Sequence, residues 1–430
     1  MKASAGRVLM LVENCFPADT RVRNEAGTLV ASGYDVTVIA LAAPGEPARE
    51  VVDGVLVHRV PRLTVFGKLP DTRVSGVRKL QRQVRVVLGY VIEYGYFTTA
   101  CLALSVYLRL TRGFDVIHAH NPPDTLVVVT TFHKLLGARS VFDHHDLSPE
   151  LYFSRYKTTT ESLVTRALRL LERWSVKCAD VVIATNESYR TIDIERNGAL
   201  PDRIFTVRNG PDARRVRMVK PDARLVALGK KILVYVGAMN PQDGVDHLLV
   251  ALSHLVHDLE RTDFYCVLVG SGDSLDSLRT LAASLRIESF VEFTGFIPDQ
   301  DLVRCLSTAD VCLDPNPSSP LNDVSTWIKV MEYMALGKPI VSFDLKETRV
   351  SAAEAAVYVT PNDEAQFAAA IAMLMDDPAR RAEMGRVGRD RVETKLGWHV
   401  TSRELVRAYA FLFGRPSAET VAQATLTSVP

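Results

Sequence analysis

Residues 320–337 read PLNDVSTWIKVMEYMALG, and this stretch is the most informative part of the chain. Its apolar side chains at 327, 330, 331, 334 and 335 have the spacing of one buried helix stripe. Ser325, Lys329 and Glu332 fall on another face of the same helix. Residues that favour N-caps precede it and Gly337 follows it, so we predict a helix that begins near Ser325.

The start of this helix has the chemistry of an anion site. Its backbone N–H groups and partial positive charge suit a phosphate, and Lys329 adds a full charge one turn in. Glu332 lies deeper on that face, where its carboxylate can accept hydrogen bonds from a vicinal diol such as a ribose. The alternative is a surface helix with a Lys–Glu pair that contributes roughly a few tenths of a kcal/mol.

Short β-branched runs alternate with helical patterns on both sides of a polar stretch at residues 209–224. Continuous apolar strands joined by helices predict parallel sheets that are covered on both faces. We therefore expect an α/β protein with two Rossmann-like domains facing each other across a cleft, with ligands at the carboxyl ends of the strands. The predicted strands are residues 7–13, 35–41, 55–60, 115–120, 140–143, 180–185, 231–237, 264–270, 290–293, 311–313, 339–343 and 356–359.

The polar stretch at 209–224 contains two prolines and no apolar periodicity, so we interpret it as a linker. The predicted N-terminal domain covers 1–212 and the second domain covers 213–400. Residues 401–416 are expected to form a helix that packs back toward the first domain. The polar residues 417–430 are expected to be disordered.

Composition excludes several classes of protein. The 430 residues are 47% hydrophobic and 23% charged, unlike a mostly disordered chain. The 51 Lys and Arg balance 50 Asp and Glu, so we expect no nucleic-acid partner. Six cysteines without a CxxC pair predict buried thiols in a cytoplasmic protein. We expect no signal peptide and no transmembrane segment, because the longest uncharged stretch, 94–108, is shorter than the roughly 20 residues required.

Histidines mark the ends of two predicted strands in the first domain. His118 and His120 share a strand face, and residues 143–146 (DHHD) end another strand. These side chains offer enough nitrogen and carboxylate ligands for zinc, with buried structural histidines as a second alternative. Asp193 and Glu195 form a loose DxD pair in a predicted helix, and we interpret them as solvated surface.

A basic stretch precedes an apolar one in residues 73–108. Residues 73–92 contain five basic side chains and no acidic ones, and 94–108 are apolar and rich in aromatics. One interpretation is an exposed helix followed by a core helix. The other is peripheral contact with an anionic membrane surface on the inner face of the cell membrane, or with a lipid-phosphate acceptor.

Residues 332–341 (EYMALGKPIV) resemble the C-terminal signature of the family 4 glycosyltransferases, which have the GT-B fold. The resemblance extends to residues 235–237 (YVG), 269–273 (VGSGD), 293–298 (FTGFIP) and 14–25 (NCFPADTRVRNE). It implies transfer of a sugar from a nucleotide-sugar donor to a carbohydrate or lipid-linked acceptor hydroxyl, with retention at the anomeric carbon. It also implies that the enzyme needs neither a metal nor a cofactor.

The resemblance implies roles for individual residues. His145, with Asp146 behind it, would lie by the reacting carbon, and Glu332 would bind the ribose. The donor-binding residues would be Ser325, Thr326 and Lys329 at the diphosphate, Asp323 or Asn322 at the donor sugar, Gly270 and Gly272 in a glycine turn, Phe296 and Ile297 at the base, and Arg208. The acceptor-side residues would be Asp19, Arg21 and His120.

The chain departs from the family pattern at two places. The first carboxylate of the signature would fall at Val324, so Asp323 would have to substitute for it. The Arg and Lys that usually neutralise the diphosphate are replaced by Ala238 and Asp243. Burying a diphosphate without cations is costly, so the helix N-terminus and Lys329 would have to compensate, together with Arg21, Arg23 or Arg208.

Two other functions fit the same residues. A nucleotide-sugar 2-epimerase would turn over a sugar nucleotide without an acceptor. A non-catalytic subunit would bind the nucleotide sugar only, as the missing Arg/Lys pair allows. We expect a glycosyltransferase of cell-surface polysaccharide or glycolipid assembly.

Overall fold

The computed structural model describes residues 4–65, 77–156, 161–213 and 215–415. The chain divides into two compact units. The first contains the residues up to Tyr152, Thr159–Arg208 and the segment from Ser402, and the second contains Phe153–Thr158 and Asn209–Thr401. Residues 417–430, which we expected to be disordered, lie outside the described part.

The first unit is built on an eight-stranded sheet with strand order β3-β4-β2-β1-β5-β6-β7-β8. All neighbouring strands are parallel except β3 and β4. Its strands are β1 (Arg7–Cys15), β2 (Asp35–Leu41), β3 (Arg49–Val52), β4 (Val55–Val60), β5 (Val116–His120), β6 (Arg139–His144), β7 (Val181–Ala184) and β8 (Ile204–Thr206). Its helices are α1 (Thr20–Ala31), α2 (Val77–Thr111), α3 (Val127–Leu135), α4 (Ser148–Tyr156), α5 (Leu163–Cys178) and α6 (Glu187–Glu195).

The second unit has a six-stranded parallel sheet with strand order β11-β10-β9-β12-β13-β14. Its strands are β9 (Lys231–Val236), β10 (Phe264–Val269), β11 (Val291–Gly295), β12 (Val311–Asp314), β13 (Ile340–Phe343) and β14 (Ala356–Val359). Its helices are α7 (Ala223–Val226), α8 (Val245–His257), α9 (Leu275–Ser284), α10 (Asp299–Thr308), α11 (Ile328–Ala335), α12 (Lys346–Ala352), α13 (Glu364–Asp376) and α14 (Pro378–Arg391), followed by α15 (Trp398–Leu412).

Burial on both faces explains why these strands are continuously apolar. In β9, Leu233 and Tyr235 lie in one core cluster, whereas Ile232 and Val234 lie in another. Alternate side chains of a strand point to opposite faces, so both faces of this sheet are covered. The sequence analysis missed only two strands of the described part, β3 and β8, which are three or four residues long at the sheet edges.

Helix α15 ends in the first unit. Its residues from Ser402 onward belong there, and the Tyr409 ring packs edge-on against Tyr34 at 5.3 Å. Tyr409 is fully buried, and its hydroxyl lies 3.0 Å from Nδ1 of His118. The end of the chain therefore contributes a side chain to the interior of the first unit.

Helix α2 is one continuous helix over Val77–Thr111. One of our interpretations was an exposed helix followed by a separate core helix. Phe97 and Cys101 on one side are buried in the core of the first unit. Val91, Tyr107 and Leu110 are exposed, the last to 83%. By length and composition alone the stretch Val87–Thr111 could cross a membrane, which the sequence analysis did not expect. The buried side shows that the helix also has the contacts of a core helix.

Candidate functional site

Each sheet has one point at which the strand order reverses, and several of the predicted site residues lie near these two points. In the first unit β1 lies between β2 and β5, and in the second unit β9 lies between β10 and β12. Ligands of open α/β sheets bind outside the carboxyl ends of the strands at such points. We describe the two separately.

A buried charge cluster lies at the carboxyl ends of β5 and β6 in the first unit. Arg21, in the first turn of α1, donates from Nε and Nη2 to the two carboxylate oxygens of Asp143, at 2.9 and 2.6 Å. Its Nη1 donates to the carbonyl of Val207 at 2.8 Å. We expected Arg21 to face an acceptor, but its side chain is only 4% exposed and is occupied by these partners. We therefore assign it to organising the cluster.

Both predicted histidines contact Asp143. Nδ1 of His120 lies 3.1 Å from Oδ2 of Asp143, and Nε2 of His145 lies 2.6 Å from the same atom. His120 is 1% exposed, so the expected acceptor-side contact is not available to it in this conformation. The His145 side chain is 16% exposed and can reach a ligand.

Two members of the cluster were missed by the sequence analysis, Glu25 and Tyr409, and His118 was considered only as a zinc ligand or a buried structural histidine. Glu25 lies one helical turn after Arg21, and its Oε1 is 3.1 Å from Nε of that arginine. The Arg–Glu spacing of four residues was the available signal. Tyr409 is almost 300 residues distant in sequence from its partner, and no local pattern points to it.

The cluster's electrostatics follow from its burial. Burial and the charge of Asp143 raise the pKa of Glu25 well above its usual value. Burial acts in the same direction on Asp143, but Arg21 and His145 hold the pKa of Asp143 well below its usual value. Burial lowers the pKa of His118 and of His120. The arrangement therefore favours one ionised carboxylate, one neutral carboxylic acid and neutral imidazoles at His118 and His120.

The distances between the ligand atoms would allow a zinc ion, but the net charge of the buried group does not favour one. One ligand atom each of Glu25, His118, His120 and Asp143 lies within 4.8 Å of the others. However, Arg21 already supplies a positive charge to the two carboxylates. A single proton makes this buried group neutral, whereas a divalent ion leaves excess positive charge in a medium of low dielectric.

Only one residue of the DxD-like pair is at the surface: Glu195 is exposed, as we expected, whereas Asp193 is not. Asp193 on α6 is fully buried, and its Oδ1 lies 2.9 Å from Nδ1 of the equally buried His144. Burial by itself lowers the pKa of His144, but the charge of Asp193 outweighs it and raises the pKa to about 9. This pair ties α6 to β6 and is structural.

Around the first cluster, other predicted residues have defined places. Asp19 is the N-cap of α1, and its Oδ1 accepts from the N–H of Val22 at 3.0 Å. Asp146 follows His145, and its carbonyl accepts from Asn121 at 2.7 Å. Arg208 is half-buried in the segment after β8. It belongs to the first unit, whereas the other predicted donor-binding residues belong to the second.

In the second unit, the key helix begins later than predicted. Helix α11 starts at Ile328 with Trp327 at the N-cap, not near Ser325. Ser325 instead follows a short 3₁₀ turn, and its hydroxyl donates to the carbonyl of Leu321 at 2.7 Å. The 3₁₀ turn contains Asn322 and Asp323, two of the residues that we expected to cap the helix. Thr326 is half-buried and directly precedes the N-cap residue Trp327.

Lys329 therefore stands in the first turn of α11, and it is paired. Its Nζ lies 3.1 Å from Oδ1 of Asp314 and donates to Oδ1 of Asn316. Both partners are fully buried at the end of β12. Nζ is also 4.7 Å from the centre of the Tyr235 ring. The expected full positive charge is thus present but balanced by a carboxylate.

Glu332 is buried on the same helix and forms an ion pair with Arg215. Burial raises the pKa of Glu332, and Arg215 opposes this shift. Arg215 also lies 3.5 Å from Oδ2 of Asp299. The sequence analysis did not consider Arg215, which falls in the stretch interpreted as a linker. Arg215 is therefore a second cation, besides Lys329, near the expected nucleotide site.

Asn322 and Asp323, the expected contacts to the donor sugar, differ in their surroundings. Asn322 is fully buried and donates to the carbonyls of Gln242 and Pro317, at 2.9 and 2.8 Å. Asp323 is half-buried, and its Oδ2 accepts from Ser318 at 3.2 Å. Asn322 therefore holds loops together, and Asp323 is the better placed of the two for a ligand.

The glycine turn has a structural cause. A Cβ on Gly270 would meet the carbonyl oxygen of Gly237 at 1.8 Å, and one on Gly272 would meet that of Met239 at 2.4 Å. These glycines are required because the turn after β10 packs on the loop after β9. Asp243, at the position of the missing cation, accepts from the N–H of Asn240 at 2.9 Å and closes that loop.

The predicted base-contacting residues are divided between surface and core. Phe296 is 88% exposed after β11, so its ring is available to a planar ligand. Ile297 is half-buried and packs against a core cluster of the second unit. Phe296 is thus the candidate for stacking and Ile297 anchors the loop.

Comparison with known proteins accounts for both units. Residues 18–210 match the model described as "Glycosyl transferase 4-like domain", and residues 230–377 match "Glycosyl transferases group 1". A "Glycogen synthase" of Mycobacterium tuberculosis is 26% identical over 401 residues, which are 90% of this chain and 89% of that protein. A "D-inositol 3-phosphate glycosyltransferase" of Corynebacterium efficiens is 26% identical over 423 residues, 89% of this chain and 91% of that protein.

Solved structures support the fold. A sucrose-phosphate synthase of Thermosynechococcus elongatus has a TM-score of 0.73 at 19% identity, covering 95% of this chain and 99% of that one. An Anabaena protein, HepE, solved with UDP-glucose, has a TM-score of 0.68 at 15% identity, covering 94% of this chain and 100% of that one.

Proposed function

Because the chain belongs to the family 4 glycosyltransferases of GT-B fold, we propose that it moves a sugar from a nucleotide-diphosphate sugar to an acceptor hydroxyl with retention. The bond from the anomeric carbon to the phosphate oxygen breaks, and a bond to the acceptor oxygen forms on the same face. The acceptor proton passes to the departing phosphate. The acceptor is a carbohydrate or a lipid-linked carbohydrate of cell-surface polysaccharide or glycolipid assembly.

The observation that carries this proposal is the position of Glu332 and Lys329 on one helix at the reversal point of the second sheet. We assign Glu332 to the ribose and the first turn of α11, with Lys329, to the diphosphate. Negative charge develops on the leaving phosphate, and preorganised dipoles and cations that stabilise it are usually the largest catalytic contribution. Phe296 stacks on the base, Thr326 lies on the diphosphate side, and Asp323 contacts the donor sugar.

Charge balance requires these pairs to rearrange when the donor binds. Lys329 is neutralised by Asp314, and Arg215 by Glu332. We propose that Arg215 turns from Glu332 to a phosphate while the ribose hydroxyls take its place on the carboxylate. Arg215 and Lys329 then do the work of the Arg/Lys pair that Ala238 and Asp243 replace. No resident metal or cofactor is part of this proposal.

In the first unit, His145 is the group that we assign to the reacting carbon, with Asp146 behind it. Nε of Arg21 and Nδ1 of His120 contact Nε2 of His145 from the buried side of the ring. Asp19 fixes the start of α1 beside them. Arg208 adds a cation at the end of the first unit's sheet.

Incubation with labelled UDP-, GDP- and dTDP-sugars and a panel of carbohydrate acceptors tests the function. A glycosylated acceptor with retained configuration supports it. A changed sugar nucleotide without acceptor would indicate the 2-epimerase. Binding without either product would indicate a non-catalytic subunit.

We also propose peripheral contact of residues 73–108 with the inner face of the cell membrane. The exposed Val91, Tyr107 and Leu110 support it, as does the basic composition before them. Sedimentation with phosphatidylglycerol vesicles should recover the protein, and phosphatidylcholine vesicles should not. Equal recovery with both, or with neither, contradicts an electrostatic membrane contact.

A further inference from the structure

We propose that Asp143 is a positioning residue that fixes the ring of His145 and turns its bare Nδ1 toward the ligand. This inference rests on the proposed function only in placing His145 at the reacting carbon. The hydrogen-bond geometry stands independently of that function. Asp143 itself is fully buried and acts through its neighbours.

The proton positions follow from counting donors around one oxygen. Oδ2 of Asp143 has three nitrogen neighbours: Nε of Arg21 at 2.9 Å, Nδ1 of His120 at 3.1 Å and Nε2 of His145 at 2.6 Å. An ionised carboxylate only accepts, so each of these nitrogens has to carry a proton. A neutral His145 protonated on Nε2 has a bare Nδ1.

Two contacts favour the other tautomer, and one of them is the 3.3 Å approach of Nδ1 of His120 to Nε2 of His145. Nε of Arg21 is also 2.9 Å from Nε2 of His145, which would suit a bare Nε2. That choice would leave Nε2 and the carboxylate oxygen as two acceptors facing each other at 2.6 Å. The closer contact is therefore decisive, and the Arg21 proton goes to Asp143.

The remaining nitrogen is the one available to a ligand. Among the residues that the structure describes, Nδ1 of His145 makes no hydrogen bond, and the side chain is 16% exposed. A bare Nδ1 accepts a hydrogen bond from a hydroxyl. The chemistry that it recognises is therefore a sugar or acceptor hydroxyl, not a phosphate oxygen.

A protonated Glu25 leaves Asp143 as the ionised carboxylate that accepts the hydrogen bond from His145. The carboxyl group of Glu25 is buried, and its Oε1 lies 3.1 Å from Nε of Arg21. Arg21 balances only one carboxylate, so the group is neutral when Glu25 carries a proton. The titratable and charged groups that face Glu25 are Asp19 and Arg21 of α1, His118 and His120 of β5, Asp143 and His145 of the β6 end, and Tyr409 of α15.

Nitrogen-15 NMR of the imidazoles in the full-length protein tests the proposal without any turnover. The His145 signal is identified by its loss in His145→Gln. At neutral pH the wild-type ring should show a protonated Nε2 and a bare Nδ1. In Asp143→Asn the ring should populate the other tautomer. A wild-type ring protonated on Nδ1, alone or together with Nε2, overturns the proposal, even if the Asn variant does not fold.

Asp193→Asn is the matched control, because it also removes a buried carboxylate that faces a histidine of the same strand. It should leave the His145 signal and the transfer rate unchanged. Asp143→Asn should lower kcat by about tenfold or more, the size of one charge-assisted hydrogen bond, with donor KM little changed. An unchanged spectrum and rate in Asp143→Asn overturns the proposal.

Two results distinguish a failure of this inference from a failure of the proposed function and from a metal site. The expected tautomer together with no transfer from any nucleotide sugar refutes the proposed function and supports the positioning role. Stoichiometric metal in the purified protein, lost in Glu25→Gln, overturns the neutral Glu25 and the donor count with it.

Discussion

Replacing Lys329 with Met removes the positive partner of a fully buried carboxylate, and the structure gives the size of the effect. Nζ lies 3.1 Å from Oδ1 of Asp314, a Coulomb attraction of about 5 kcal/mol at an effective dielectric of about 20. Removing one partner of a buried pair typically costs about 3–5 kcal/mol, because the other charge stays uncompensated. We therefore expect Lys329→Met to lower the free energy of unfolding by about 3 kcal/mol or more.

A second variant separates this structural cost from a role at the donor phosphate. In Lys329→Met with Asp314→Asn the uncompensated charge is gone, so thermal stability should return to within about 1 kcal/mol of the wild type. Nucleoside diphosphate affinity, measured by calorimetric titration, should stay at least about tenfold weaker, because the cation is absent. A stable double variant that binds the nucleotide as the wild type does would refute the assignment of Lys329 to the diphosphate.

Three further variants test other parts of the site. Glu332→Ala should weaken nucleotide-sugar binding by more than about tenfold through loss of the ribose contact, and unchanged affinity in titration would contradict it. Phe296→Ala should weaken nucleotide binding about fivefold through lost stacking without changing Tm, since the ring is exposed; a large fall in Tm would show a packing role instead. In the wild type, His144 has a pKa raised to about 9, so its contribution to stability is present below about pH 6.5 and lost as the pH rises through 9. Asp193→Asn should abolish this decline, of about 3 kcal/mol at most, in denaturant unfolding measured from pH 6 to pH 9.5; a decline of unchanged size contradicts the assignment.

Much of the fold could be predicted because its determinants are local. Both faces of the central strands are largely buried, so runs such as residues 35–41 and 55–60 are mostly apolar, and they were predicted with the bounds observed. Glu332 and Lys329 were found because helical spacing alone places them on one face. The edge strands β3 and β8 were missed because their length and alternation leave no comparable signal.

The charge state of the site was decided by the tertiary structure. Sequence shows that Lys329, Arg215 and Arg21 are cations, but not that Asp314, Glu332 and Asp143 neutralise them, since each pair joins segments at least 15 residues apart. The start of α11 also shifted because the capping residues were drawn into a separate turn. Hydrophobic periodicity is a property of neighbouring residues, whereas the partner of a buried charge depends on which strand ends the sheet brings together.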